Sequence, residues 1–112
     1  MSYKPYRTSN DLSLIEILQA LADPIRLEIV RQLDESGQKA CGMFGIEMPK
    51  SSLSHHLRIL RESGVIVSKG QGTILMNRLR REEIEANFPG LIESILKGAQ
   101  KEYRVSKNPG NG

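Results

Sequence analysis

Ser51, Ser54, His55 and Arg58 are spaced to share one side of a helix at about 100° per residue, with Lys50 and Arg61 on its flanks and Ser52 at its edge. Short hydroxyls, an imidazole and guanidinium groups on one exposed face suit the base edges and phosphates of a DNA groove. A helix that merely met water would more often carry Glu and Lys there. On the opposite side Leu53, Leu57 and Leu60 recur at spacings of four and three, which makes that side apolar. Gly64 stops the helix and Val65-Ile66 opens a strand. His56 falls nearer the leucines, so it is expected as partly buried support against the preceding helix rather than as a reader of bases. Arg58 carries the paired donors that suit guanine, whereas Lys50 and Arg61 are expected on phosphates, which position without specifying.

The charge distribution points the same way. The 112-residue chain has a net charge of +3, but residues 50–81 hold seven Lys and Arg against one Glu, a local +6, and the remainder is −3. A basic segment of this kind forms a polyanion-binding face when it coincides with a two-sided helix. The length predicts one domain with a modest core, which gains from pairing with a second copy. A single cysteine, Cys41, makes no internal disulfide and suits a reducing compartment. No apolar run is long enough to span a membrane, and the polar stretch Met1–Asn10, with Lys4 and Arg7, is not expected to act as a signal peptide. The expected location is the cytoplasm.

Other elements must hold that face in place. Residues 1–10 are expected as a flexible arm, 11–99 as the folded domain and 100–112 as a disordered tail. A first helix should start near Asn10 or Asp11 and run to about Ala22. Its apolar surface of Leu14, Ile15 and Leu18, widened by Leu12 and Ile17, is more than one neighbour covers, which suggests a subunit interface. Asp23-Pro24 restarts the chain as a second helix that ends near Gly37. Residues 38–48 read as a short distorted helix or turn packed through Met43, Phe44 and Ile46. Met48 and Leu53 would staple the start of the two-sided helix if Pro49 caps it. Val65–Lys69 and Thr73–Leu79 read as a hairpin around Gly70-Gln71-Gly72. After Arg81 an acidic first turn opens a helix that Pro89 divides, and the last helix, from about Gly90 to Ala99, presents Leu91, Ile92 and Ile95. Arg80 and Arg81 have Glu82, Glu83 and Glu85 nearby as partners. The expected fold is mainly α with a β-hairpin wing, a winged helix-turn-helix. Lys69 and Gln71 at the wing tip, and Arg78 behind it, extend the candidate DNA surface.

Two stretches then resemble a known family. Ala22-Asp23-Pro24-Ile25-Arg26-Leu27 and Leu53-Ser54-His55-His56-Leu57-Arg58-Ile59-Leu60-Arg61-Glu62-Ser63-Gly64-Val65-Ile66 resemble two sequence elements of the ArsR-type (ArsR/SmtB-like) bacterial repressors, the second being specific to them. The resemblance covers roughly residues 12–97. It implies a repressor of transcription that binds a pseudo-palindromic operator in double-stranded DNA as a homodimer. Its N- and C-terminal helices would pair through Leu14, Ile15, Leu18, Leu91, Ile92 and Ile95. It also implies a small-molecule effector that changes the dimer, of a chemistry the sequence leaves open.

The departures from the family concern sensing. Many members carry a Cys-x-Cys pair on the third helix, where this chain reads Lys39-Ala40-Cys41-Gly42-Met43, and others use Asp, His and Glu on the last helix, which here offers Glu93 and no histidine. A transition-metal site needs several convergent nitrogen or sulfur ligands, so neither metal site is expected, nor any cofactor. Two alternatives stand beside the repressor: a winged helix that binds a protein partner, and a thiol-based redox sensor built on Cys41. An enzyme is not expected. Ser54 and His55 are adjacent on a helix and point apart, and no phosphate-binding glycine loop is present.

Overall fold

The structure is a computed structural model and describes residues 7–107, with side chains to residue 101. The chain order is a 3-10 turn at Ser9–Asp11, α1 (Leu14–Leu21), α2 (Pro24–Ser36), β1 (Lys39–Ala40), a 3-10 turn at Cys41–Met43, α3 (Lys50–Glu62), β2 (Ile66–Gln71), β3 (Ile74–Leu79), α4 (Arg81–Asn87) and α5 (Leu91–Lys107). This is the winged helix-turn-helix expected from the sequence. Its core gathers Ile17, Ile29, Val30, Leu33, Leu57, Leu60, Ile66, Ile84 and Ile92 between the helices and the sheet.

The helix starts follow from local chemistry. α1 begins later than expected because the Ser13 hydroxyl caps it, accepting from the Glu16 N–H at 3.3 Å. The preceding residues close instead into a 3-10 turn, in which the Thr8 hydroxyl donates to the Asp11 carboxylate at 2.8 Å. At the start of α2 the Asp23 carboxylate accepts from the N–H groups of Ile25 and Arg26 at 2.9 and 3.0 Å, and Pro24 takes the first position, where its missing N–H costs nothing. Gly37, at φ 88°, ends α2. Pro89 separates α4 from α5. There the Gly90 N–H donates to the Glu85 carboxylate at 2.7 Å and holds that carboxyl below its usual range.

The sheet differs from expectation. It is three-stranded and antiparallel in the order β1-β3-β2, because Lys39 and Ala40 pair with Asn77 and Met76. The buried Asn77 side chain ties the three strands together. Its Nδ2 donates to the Lys39 carbonyl at 3.1 Å and its Oδ1 accepts from the Ser68 hydroxyl at 2.6 Å. A two-residue strand has no alternation to read, so β1 was not expected. The hairpin turn also lies further along. Gly70 pairs with Leu75 inside the ladder, Gln71 faces Ile74, and the loop is Gly72-Thr73, with Gly72 at φ 64°. A two-residue loop with positive φ at its first position matches the right-handed strand twist.

Four further expectations are corrected. The predicted arm lies partly outside the described residues, at 1–6, but from Arg7 onward it is docked. Arg7 forms an ion pair with Glu16, and its carbonyl accepts from Arg80 Nη1 at 2.6 Å. The tail forms no separate segment through Lys107, since α5 continues past Ala99; residues 108–112 lie outside the described residues. Met43 is exposed, and Phe44 alone of the Met43–Ile46 group is fully buried. Ile92 is sealed within the chain's own core, so it has no surface to offer a second copy.

The docked segment closes over the end of α3. Arg80, 1% exposed, makes a double hydrogen bond to Glu83 at 3.1 and 2.5 Å with its other face on the Arg7 carbonyl. A Cβ on Gly64 (φ 87°) would lie 2.6 Å from Leu12 Cδ2 and 3.1 Å from Arg7 Cβ. Gly64→Ala should therefore lower the unfolding free energy by about 2 kcal/mol, through the left-handed backbone and the displaced segment together. Gly90→Ala, at φ 84° with open space around it, should cost only about 1 kcal/mol. Urea unfolding of both variants checks the difference, and equal losses would remove the close approach as a cause.

Candidate nucleic-acid interface

α3 starts without a side-chain cap. Pro49 occupies the N-cap, and its carbonyl accepts from the N–H groups of Ser52 and Leu53 at 3.0 and 3.1 Å. Met48 precedes it in the staple position and is half-buried against the core. Leu53, Leu57 and Leu60 are buried along one side of α3. Lys50, Ser51, Ser54, His55 and Arg58 are exposed along the other, with Ser52 and Arg61 half-buried at its edges. The two faces expected from the spacing are thus separated as expected.

His56 sits on the supporting side. Its Nδ1 lies 3.2 Å from Arg26 Nη1 in the first turn of α2 and 3.8 Å from the carboxylate of Asp23, which caps that helix. His55 stands outward, its ring centroid 6.2 Å from that of His56. Arg58, whose side chain is 66% exposed, is turned along the helix toward Glu62 and pairs with it at 3.2 Å.

The wing supplies a second surface. The register places Lys69 opposite Met76, Gln71 opposite Ile74 and Val67 opposite Arg78. Directly opposed residues in an antiparallel pair share a face, so Lys69, Gln71 and Arg78 lie together on the side away from buried Ile66, Asn77 and Leu79. Lys69 and Arg78 are half-buried, and Gln71 is exposed at the tip. Sequence reasoning missed two residues here. Ile74 and Leu75 are exposed at the tip, and the only signal was the unbroken run Ile74-Leu75-Met76 beside a glycine-rich turn.

The local +6 is smaller at the surface than in the sequence. Arg80 is buried with Glu83, and Arg81 reaches back to Asp34 on α2, a hydrogen bond that holds its proton more firmly. Lys50, Arg58, Arg61, Lys69 and Arg78 remain at least partly exposed. Among the described residues, no group of three or more His, Cys, Asp or Glu is close enough to hold a metal ion. Cys41 is half-buried with a free thiol.

A helix exposing hydroxyls and cations over a leucine seam, followed by a β-hairpin, defines a winged helix-turn-helix of the DNA-binding kind. Residues 23–68 match the sequence profile of "Bacterial regulatory protein, arsR family". The HTH-type transcriptional regulator YceK of Bacillus subtilis (strain 168) is 30% identical over 97 residues, 84% of this chain and 97% of that relative. The arsenical resistance operon repressor of the same organism is 38% identical over 80 residues, 70% of this chain and 72% of that relative. The crystal structure of the transcriptional repressor BigR from Xylella fastidiosa superposes with a TM-score of 0.56 at 26% identity, covering 67% of this chain and 85% of that one. The chain belongs to the arsR family of bacterial regulatory proteins and is a DNA-binding transcriptional regulator.

Glu62 is the only acid in the basic segment, and it draws Arg58 along the helix. Glu62→Gln should raise affinity for unselected duplex DNA by about two- to fivefold at low salt, the range a surface ion pair commands, and the gain should fade as salt screens it. Fluorescence anisotropy across a salt series measures both effects, and a gain that persisted at high salt would contradict a charge origin.

Proposed function

We propose that this protein is a homodimeric repressor that binds a pseudo-palindromic operator in double-stranded DNA and leaves or takes up that operator in response to a small-molecule effector. The observation that carries the reading is the α3 face, on which Ser51, Ser54, His55 and Arg58 are exposed above a buried leucine seam. Ser51, Ser54, His55 and Arg58 lie in the major groove. Lys50, Ser52 and Arg61 grip the flanking phosphates. Lys69, Gln71 and Arg78 carry the wing along the adjoining backbone and minor groove, where exposed Ile74, on the same face, meets the sugar walls. The repressor named among the relatives supports the direction of regulation.

The dimer reading is supported by α1. Leu14, Ile15 and Leu18 are 40%, 61% and 41% exposed, a contiguous apolar patch on one short helix. Leu91 and Ile95 on α5 are half-buried and complete the interface, from which Ile92 is withdrawn. A two-fold axis between paired α1 and α5 helices sets two copies of α3 about 34 Å apart, one turn of duplex DNA. Membership of a DNA-binding regulator family supports a working place in the cytoplasm beside the DNA. The protein acts by binding rather than by catalysis.

Random-library selection of bound duplexes tests the reading directly, with a two-fold-related pair of half-sites as the expected product. On the selected duplex, Arg58→Ala should lose about tenfold or more in affinity and relax sequence choice at one position per half-site. Arg61→Ala should weaken all duplexes evenly and lower the log–log salt slope by about 1. Wild-type affinity in both variants would show the DNA face to be elsewhere. Ile15→Glu should sediment as a monomer at micromolar concentration and lose the selected duplex far more than an unselected one; a dimeric Ile15→Glu would displace the interface from α1.

A further inference from the structure

Arg26 meets three helices at one corner. Ala20 lies in the last turn of α1, and the N–H that would continue the helix from its carbonyl belongs to residue 24, which is Pro24 and has none. Arg26 Nε donates to that carbonyl instead. Its Nη1 lies 3.2 Å from His56 Nδ1 on α3, and its own backbone N–H is held at 3.0 Å by the Asp23 cap. Arg26 is half-buried, and the His56 side chain is 17% exposed. One planar guanidinium with a fixed fork of donors therefore joins the end of α1, the start of α2 and the inner side of α3.

His56 stands between outward-facing His55 and buried Leu57, at the edge of the face that carries Ser51, Ser54 and Arg58. We propose that Arg26 is a positioning residue that transmits the placement of α1 to the roll of α3, so that the geometry of the dimer sets the fit of the recognition helix to its DNA sequence. The inference rests on the reading of α1 as the dimer helix and α3 as the DNA helix. Arg26 itself takes no part in holding the phosphates. Lysine does not replace it, because a single ammonium on a flexible stem lacks the fork that spans Ala20 and His56.

The test compares the best duplex that the wild-type protein selects from a random library with a scrambled duplex of the same composition, by anisotropy over a salt series. Arg26→Lys and His56→Ala should each lose about tenfold on the selected duplex, within the range of coupling carried by a packed network, and stay within about twofold on the scrambled one. The salt slope should not change. His56→Asn, which keeps an acceptor near the position of Nδ1, should retain most of the affinity. Arg26→Lys with His56→Ala together should lose little more than either alone, since both remove one link. Circular dichroism and sedimentation confine the comparison to folded dimers, and if His56→Ala does not fold, Arg26→Lys against His56→Asn carries the test. Unchanged affinity in Arg26→Lys, losses that add in the double variant, or an even loss on both duplexes with a flatter salt slope would each overturn the proposal; the last would make Arg26 a phosphate contact. A wild-type protein that selects no preferred duplex would overturn the DNA reading itself and this link with it.

Discussion

The burial of Leu53, Leu57 and Leu60 fixes which side of α3 faces outward, and most of what the molecule does follows from that seam. A helix with one apolar stripe has essentially one rotation at which the stripe is covered, and any roll away from it exposes leucine to water at about 25 cal/mol per Å². The exposed face is thus set by the buried one. His56 refines the setting from the flank through its contact with Arg26, and Pro49 and Gly64 bound the helix at either end. The hydroxyls and cations need only stand at the right positions in sequence; the packing orients them.

Charge enters as a second layer with its own internal sorting. Seven basic residues in one segment look interchangeable in a sequence, but the fold divides them by burial and by pairing. Arg80 is engaged inside the fold by Glu83 and the Arg7 carbonyl, and Arg81 by Asp34. A buried guanidinium is tolerated only when its donors are matched, and here the two hydrogen bonds to Glu83 and the one to the Arg7 carbonyl do so. The remaining cations lie along α3 and the wing, where water screens them and a phosphate backbone can still recruit them.

Most of the architecture was legible because it is written in periodicity and punctuation. The spacing of Leu53, Leu57 and Leu60, the Asp23-Pro24 restart and the glycines at 37 and 64 each state a local physical requirement. So did the two faces of α3 and the supporting place of His56. What could not be read depends on contacts distant in sequence. β1 exists because Asn77 reaches across to the Lys39 carbonyl, and nothing within two residues announces that. Residues 7–10 looked like part of an arm because Gly64 and Arg80, the neighbours of Arg7, lie far along the chain. Ile92 looked like interface because a periodic apolar residue shows that it is buried but not by what.

The close approach of Leu12 to Gly64 also orders events in time. Arg7 and Arg80 are separated by 73 residues, so the Arg7 segment has no binding site until the wing has been made. Local helices close quickly, whereas a contact of that sequence separation waits on loop closure. The segment that closes over the end of α3 is therefore made before its partners and is among the last parts to settle. A nascent chain would form α3 before the contact that closes its end is in place.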